Sequence, residues 1–70
     1  MNINIVKDEI LSNIGRNIIV IVKGSRNRKE IYEGTLFKMY PNIFSICING
    51  IEKTFSYADV VIKDVILKYK

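Results

Sequence analysis

Histidine and tryptophan are absent from this 70-residue chain, and cysteine and proline occur once each. Without histidine, the chain has neither the commonest general base of catalysis nor a common zinc ligand. A single thiol, Cys47, cannot form a disulfide within the chain or complete a tetrahedral zinc site. A domain of this size usually needs a crosslink, a metal or a partner to be stable. We therefore predict no cofactor and no metal, and a homo-oligomer, in the simplest case a dimer.

Long hydrophobic runs are also missing, since the longest is the segment IIVIV at 18–22. A membrane-spanning helix needs about 20 apolar residues, and the segment MNINIVKDE lacks the basic and apolar regions of a secretory signal. We therefore expect no membrane contact and a cytoplasmic location in which Cys47 stays reduced. Acidic residues are outnumbered by lysine and arginine, seven to eleven, which favours an anionic partner only weakly.

Residues 3–14 are predicted to form an amphipathic helix, the first element of a single domain that spans residues 1–70. Asn2 or Asn4 can cap its start, and Gly15 is placed to end it. Apolar side chains recur at helical spacing along this segment. They are Ile3, Val6, Ile10 and Ile14.

Five segments rich in β-branched and aromatic residues follow, and each is predicted to be a strand. A polar loop at 23–29 separates the first two strands. Gly34 lies where the second strand would bend, and Pro41 presets a turn before the third. The predicted strands are 18–22, 30–40, 43–48, 51–55 and 60–69.

The dipeptide Asn49-Gly50, between two apolar runs, predicts a β-hairpin with a type I′ turn, because both residues tolerate positive φ. A two-residue loop also fixes the register of the strands that it joins. The core-facing pairs would be Ile48 with Ile51, Ile46 with Lys53 and Phe44 with Phe55. Lys53 would then have to extend its ammonium outward from the core.

Five short strands joined by tight turns are too few for a β-sandwich, whereas closing them into a small barrel removes exposed sheet edges. A helix followed by such a barrel is the Sm-like version of the SH3-like fold. We therefore predict a mainly β protein, with a five-stranded SH3-like (Sm-like) barrel over residues 17–69 after an N-terminal α-helix.

The segment FSYADV at 55–60 places a hydroxyl, a phenol and a carboxylate side by side. Catalysis by Ser56 would need a general base within hydrogen-bond reach, and no residue is suited to that role. The spacing Ser56-x-x-Asp59 is that of a capping box, in which Ser56 accepts from the Asp59 N–H and Asp59 reaches back. We therefore predict a short 3₁₀ turn before the last strand, and a protein that is not an enzyme.

The loop KGSRNRK at 23–29 concentrates positive charge. Arginine binds phosphate oxygens bidentately, and such contacts dominate nucleic-acid affinity. A solvated hairpin loop explains the same composition equally well. We expect Arg16 and Lys38 to lie at the same end of the barrel. The candidate nucleic-acid or anion-binding residues are Arg16, Lys23, Arg26, Arg28, Lys29 and Lys38.

The segments YPNIF at 40–44 and SYADV at 56–60 resemble the Veg family of Gram-positive bacteria, small proteins described as stimulators of biofilm formation. The basic loop and the Gly-x-Leu triplet at 34–36 are also similar to that family's pattern. The resemblance extends over most of the chain, from about residue 14 to residue 67.

The resemblance implies regulation through contact with a protein, such as a transcriptional regulator whose repression is antagonised. The chain departs from the family's pattern in its short Asn-Gly hairpin. It also has Ile62 and Ile66 where polar residues are usual, which indicates a covered edge. Tyr40 and Tyr57, at strand ends, are the expected exposed aromatic pair. The candidate partner-contact residues are Tyr40, Pro41, Tyr57, Ile62 and Ile66.

Sm proteins offer a second comparison, because the triplet at 34–36 looks like the start of their first motif. Tyr40 stands about where that motif has an aspartate, and the later Arg-Gly pair is missing, so a uridine pocket is not expected. We predict a regulatory module that binds proteins, with RNA or DNA binding through residues 23–29 as the alternative. A continuous face of Arg16, Lys38, Tyr40 and the loop would favour nucleic acid.

Overall fold

A single antiparallel sheet carries the fold, and the structure, a computed structural model, describes residues 2–24 and 28–70. The elements in chain order are α1 (Ile3–Leu11), β1 (Asn17–Lys23), β2 (Lys29–Met39), β3 (Ile43–Ile48), β4 (Ile51–Ser56), α2 (Tyr57–Val61) and β5 (Val65–Tyr69). The strands lie in the order β4-β3-β2-β1-β5, so β4 and β5 are the two edges of the sheet. The predicted mainly β fold with five strands and an N-terminal helix is confirmed.

Helix α1 packs its apolar side onto the sheet and the second helix. Asn2 caps the helix, because its Oδ1 atom accepts a hydrogen bond from the Ile5 N–H at 3.0 Å. Val6 and Ile10, one turn apart, are both buried as their spacing predicts. These two side chains join the helix to the hydrophobic core.

The helix ends at Leu11, so the prediction that it continues to residue 14 is wrong. Ser12 donates its hydroxyl to the carbonyl oxygen of Asp8 at 2.9 Å, a side-chain bond that competes with further helical turns. The chain then turns toward the sheet. As a result Ile14, like Ile3 at the other end of the helix, is exposed rather than buried.

The hairpin between β3 and β4 forms as predicted. Asn49 and Gly50 have φ values of 51° and 82°, and a type I′ turn requires positive φ at both positions. The register is also the predicted one, with Ile48 opposite Ile51, Ile46 opposite Lys53 and Phe44 opposite Phe55.

Burial along this hairpin follows the register except at its tip. Phe44 and Ile46 are fully buried, whereas Ile51 is 70% exposed, because the tip extends beyond the core. Lys53 faces inward, and its Nζ atom lies 4.5 Å from the centroid of the Tyr32 ring. The aliphatic part of Lys53 therefore covers apolar surface while its charge lies over an aromatic face.

Gly34 lies where β2 approaches β3 so closely that a side chain is excluded. A Cβ atom at this position would lie 2.4 Å from the carbonyl oxygen of Cys47 on β3, so only glycine permits the close approach of the two strands. The β2–β3 register shifts between Leu36 and Lys38, which marks a bulge.

Both edge strands contribute to one hydrophobic core, with Phe55 from β4 and Val65 from β5 in the same cluster. The Phe44 ring lies between two other aromatic rings, 5.8 Å from Phe55 and 5.6 Å from Tyr57 between centroids. The other buried apolar residues are Val6, Ile10, Ile18, Val20, Leu36 and Ile46.

The predicted last strand at 60–69 is wrong in its first part, because its first two valines belong to α2. Helix α2 ends in a Schellman motif, with Lys63 at a φ of 65°. The Asp64 N–H donates to the Asp59 carbonyl at 2.9 Å. A five-residue α-helix therefore replaces the predicted 3₁₀ turn, and β5 begins only at Val65.

Candidate functional site

Tyr57 lies where the turn after β2 meets α2, and it is buried. Its exposed fraction is 0%, and its ring stacks on Phe44. Its hydroxyl donates to the Tyr40 carbonyl oxygen at 2.8 Å, and burial raises the pKa of the phenol, which keeps this donor protonated. The prediction that Tyr57 is exposed for partner contact is therefore wrong. Tyr57 joins the turn to the helix.

Ser56 caps α2, but by a different bond from the one predicted. Its hydroxyl accepts from the Ala58 N–H at 3.1 Å rather than from the Asp59 N–H. Within the described residues, no return bond from the Asp59 side chain is found. Asp59 lies in the first helical turn, where a carboxylate favours the helix dipole. The FSYADV segment is thus a structural corner between β4 and β5.

Tyr40, Pro41 and Ile62 stay accessible around this corner, and their exposed fractions include 38% for Tyr40 and 63% for Ile62. The Tyr40 hydroxyl donates to the Glu52 carboxylate at 2.7 Å, which fixes its ring across the outer face of the sheet. The Tyr57 bond joins the turn that carries Tyr40 and Pro41 to α2, and Ile62 directly follows that helix.

Glu52, the acceptor of the Tyr40 bond, is a stabilised carboxylate. The Ser45 hydroxyl, then the Tyr40 hydroxyl and the Lys38 ammonium, lower the pKa of Glu52. A general acid or base at neutral pH would need the opposite shift. Glu52 therefore stays ionised at neutral pH and joins Tyr40 to the outer face of β4.

The basic residues are divided between the two ends of the sheet. Lys23 and Lys29 pair directly across β1 and β2, with exposed Arg28 beside them. Arg16 precedes the other end of β1, about 20 Å away, since a strand rises about 3.3 Å per residue. Lys38 also lies toward that far end, because β2 runs antiparallel to β1. The prediction that Arg16 and Lys38 extend the basic loop is wrong.

Arg16, one of the six candidate cations, is held by hydrogen bonds within the chain. The Arg16 guanidinium donates to the Asn13 Oδ1 atom at 3.0 Å and to the Lys70 carbonyl at 2.7 Å, so it joins segments of this chain. Arg26 lies outside the described residues. No continuous basic face that includes the loop, Arg16 and Lys38 is present in the described part of the chain.

A groove of about 350 Å³ runs between β5 and the two helices. Apolar side chains dominate its walls, and one acidic and one basic residue lie among them. Ile66, a predicted contact residue, is half-buried there. The lining residues are Val6, Glu9, Val60, Lys63, Val65, Ile66, Leu67 and Tyr69.

The groove follows a sheet edge with free backbone groups. The Lys23 N–H donates to the Asp64 carbonyl, and the Lys70 N–H donates to the Asn17 carbonyl. Because bonding alternates along an antiparallel pair, the intervening residues of β5 direct their N–H and C=O groups away from β1. These residues are Val65, Leu67 and Tyr69.

Tyr69, at one end of the groove, carries a buried hydroxyl with no hydrogen-bond partner among the described residues. Burial, with a smaller contribution from the Glu9 carboxylate, raises the pKa of Tyr69 to about 12. Glu9 therefore lies near the Tyr69 end of β5, while Lys63 precedes its Val65 end.

Metal-binding clusters of three or more histidine, cysteine or acidic residues are not found in residues 2–24 and 28–70. In the same part of the chain, neither helix is long and apolar enough to cross a membrane. The groove, the free edge and the turn around Pro41 are the features of this surface that suit a partner.

A family model described as biofilm formation stimulator VEG matches residues 1–68, which include the Tyr-Pro turn, the SYADV corner and the β5 edge. The chain belongs to this family. The resemblance of the sequence to the Veg family is thereby confirmed. A search of curated proteins gives no match.

Sequence reasoning missed most of the groove in this Veg-family chain. It identified Ile66 but not Glu9, Lys63 or the alternating residues of β5. The signal was present in VILKY at 65–69, whose alternate apolar side chains indicate a half-buried strand. It was obscured because Val60 and Val61 extended the apolar run into α2.

Proposed function

We propose that this chain contributes to biofilm formation as a non-enzymatic, cytoplasmic regulatory module, which acts by binding a protein such as a transcriptional regulator. Membership of the Veg family, described by its role in stimulating biofilm formation, supports the biological role. We also propose that the protein is a homodimer, because a single core of this size contributes little stability by itself.

The observation that carries the proposal is the exposure of Tyr40, Pro41 and Ile62 on a turn and a helix that the Tyr57 bond joins. Ile62 is 63% exposed, directly after a helix whose first residue, Tyr57, bonds the Tyr40 carbonyl. Exposed apolar side chains held in a fixed arrangement are typical of protein contacts.

The test is to complement a bacterium that lacks its Veg-family gene with Ile62→Asp, and to measure biofilm mass. The matched control is Ile31→Asp, because Ile31 is 68% exposed on the outer face of β2. We expect Ile62→Asp to lose most of the stimulation and the control to retain it, with circular dichroism showing that both fold. Equal activity of the two variants would contradict the proposal.

A pull-down from lysate, with and without nuclease, identifies the kind of partner that Ile62 contacts. We expect a protein that is retained after nuclease treatment by the wild type and by Ile31→Asp, and that is lost with Ile62→Asp. Loss of every captured protein on nuclease treatment would instead favour nucleic acid.

Nucleic-acid binding through the 23–29 loop is the second candidate, and one observation favours it. Lys23 and Lys29 lie directly opposite each other on neighbouring strands, an arrangement of like charges that is destabilising unless an anion lies between them. We expect Lys23→Ala with Lys29→Ala to weaken RNA or DNA binding and flatten its salt dependence. An unchanged salt slope would rule this candidate out.

We further propose that the sheet curves into an SH3-like (Sm-like) barrel that stays open between β4 and β5, which are not neighbours in the strand order. Support comes from the shared core of β4 and β5, and from α2, which connects these two edges directly. An experimental structure in which the edge strands splay apart would contradict this.

A further inference from the structure

We infer that the free edge of β5 pairs with β5 of a second copy of this chain, antiparallel and centred on Leu67. The inference rests on the proposed function, since it identifies one protein partner of the module and its interface.

The backbone of β5 sets the register of such a pairing. Val65, Leu67 and Tyr69 each direct one N–H and one C=O away from β1, as the bonds at Lys23 and Lys70 show. If Leu67 faces Leu67 of the second copy, then Val65 faces Tyr69 and Tyr69 faces Val65. This register satisfies all of these outward groups in both copies, and a shift by two residues leaves some of them unpaired.

The side chains suit the same register. On the groove side, apolar residues face apolar residues. On the outer face Ile66 faces Lys68 of the second copy, so no like charges are opposed. Asp64 would lie opposite Lys70 of the second copy, which places opposite charges at each end of the paired strands.

The charges of the groove also become complementary across a two-fold axis. Glu9 lies near the Tyr69 end of β5, where its charge acts on the phenol, and Lys63 lies at the Val65 end. Antiparallel pairing brings the Tyr69 end of one copy to the Val65 end of the other. Glu9 of each copy therefore approaches Lys63 of the other, which gives two attractive pairs in one interface.

The other edge of the sheet, β4, does not have a wholly uncharged inward face. Strand β4 points the charged Lys53 inward, between core aromatics, and inward-pointing charge is a recognised device against edge pairing. The inward residues of β5 are Val65, Leu67 and Tyr69, none of which is charged. Pairing of β5 with itself is therefore favoured over pairing through β4.

The experiment uses two charge variants, Glu9→Lys and Lys63→Glu, each checked for folding by circular dichroism. Alone, each variant places like charges at both ends of the proposed interface. Mixed in equal amounts, one copy carries two lysines and the other two glutamates, so both pairs become attractive again. Sedimentation at low ionic strength measures the dissociation constant of each sample.

We expect each variant alone to dimerise about tenfold more weakly than the wild type, which corresponds to about 1.4 kcal/mol, and the mixture to recover wild-type affinity. The control is Asp8→Lys, which makes the same charge change on α1 outside the groove. Its mixture with Lys63→Glu should show no such recovery.

Two results would overturn the inference. One is a mixture that associates no better than the separate variants, and the other is a wild-type protein that stays monomeric at high micromolar concentration. A monomeric wild type would also contradict the proposed homodimer, but neither result affects the proposed regulatory role, because Ile62→Asp tests that role independently through biofilm mass and the retained partner.

Discussion

The two edges of the sheet, β4 and β5, have similar lengths and opposite character. Strand β4 reads IEKTFS, and its inward positions include Lys53, whose ammonium lies 4.5 Å from the Tyr32 ring centroid. Strand β5 reads VILKY, and its inward positions are apolar. Both edges have backbone groups that point away from the sheet. Among the residues that the structure describes, β5 also has an apolar groove beside it.

The contrast indicates that a few inward side chains decide whether a sheet edge is protected from pairing with another strand or open to it. A charge that must stay near solvent prevents a second strand from closing over β4. The β5 edge has no such charge in its strand, and instead has one acidic and one basic residue at opposite ends of its groove. We therefore expect the sheet to associate through β5 and not through β4.

The largest expected effect comes from giving β5 the inward charge of β4. We expect Leu67→Lys to raise the dissociation constant of the dimer at least about tenfold, because a desolvated lysine at the two-fold axis would face its own copy. Sedimentation equilibrium measures the change. Ile51→Lys, at the exposed tip of β4, is the control and should leave dimerisation unchanged; an equal loss in both variants would contradict the assignment.

The converse change removes the protection of β4. We expect Lys53→Leu to form species larger than dimers as the concentration rises, because both edges then present apolar inward faces. Size-exclusion chromatography with light scattering detects these species. If Lys53→Leu stays strictly dimeric at millimolar concentration, the inward charge is not what keeps β4 unpaired.

A smaller effect is expected at the helix that connects the two edges. Tyr57→Phe removes the bond to the Tyr40 carbonyl, which we expect to lower the free energy of unfolding by about 1 kcal/mol. Urea denaturation measures this. Tyr40→Phe, which loses only an exposed bond to Glu52, is the control and should cost less. A greater loss for Tyr40→Phe would place the main support of the corner elsewhere.

The smallest effect is a pH dependence at Tyr69. The folded pKa of Tyr69 is about 12, above the usual 10.0. Its ionisation therefore leaves the free energy of unfolding unchanged below pH 10 and lowers that free energy as the pH rises toward 12. We expect Tyr69→Phe to show a shallower fall in unfolding free energy across this range than the wild type. Parallel pH profiles for the two proteins would show that Tyr69 titrates normally in the folded state.

Local turn chemistry made much of the fold predictable from the sequence. Asn49-Gly50 fixed a register through positive φ. Gly34 marked a close approach of β2 and β3, because no other residue fits against the Cys47 carbonyl. The end of the first helix and the start of β5 were not predictable in this way. The first boundary depends on the Ser12 hydroxyl bond to the Asp8 carbonyl. The second depends on the Schellman motif around Lys63.

The candidate site was less predictable, because it depends on which residues the fold brings together. Tyr57 was expected to be exposed at a strand end. Instead, the Tyr40 carbonyl oxygen, in the turn before β3, accepts a hydrogen bond from its hydroxyl. Glu9 and Tyr69 are far apart in sequence and carry no motif, so only the packing of α1 near β5 reveals the groove.

Amide hydrogen exchange at the two edges distinguishes an open β5 from a protected β4. The N–H groups of Val65 and Leu67 on β5 are compared with those of Glu52 and Thr54, which point away from β3 on β4. We expect the β5 amides to be protected at high protein concentration and to lose protection on dilution, while the β4 amides exchange rapidly at every concentration. Rapid exchange of the β5 amides at every concentration, or protection of the β4 amides instead, would contradict it.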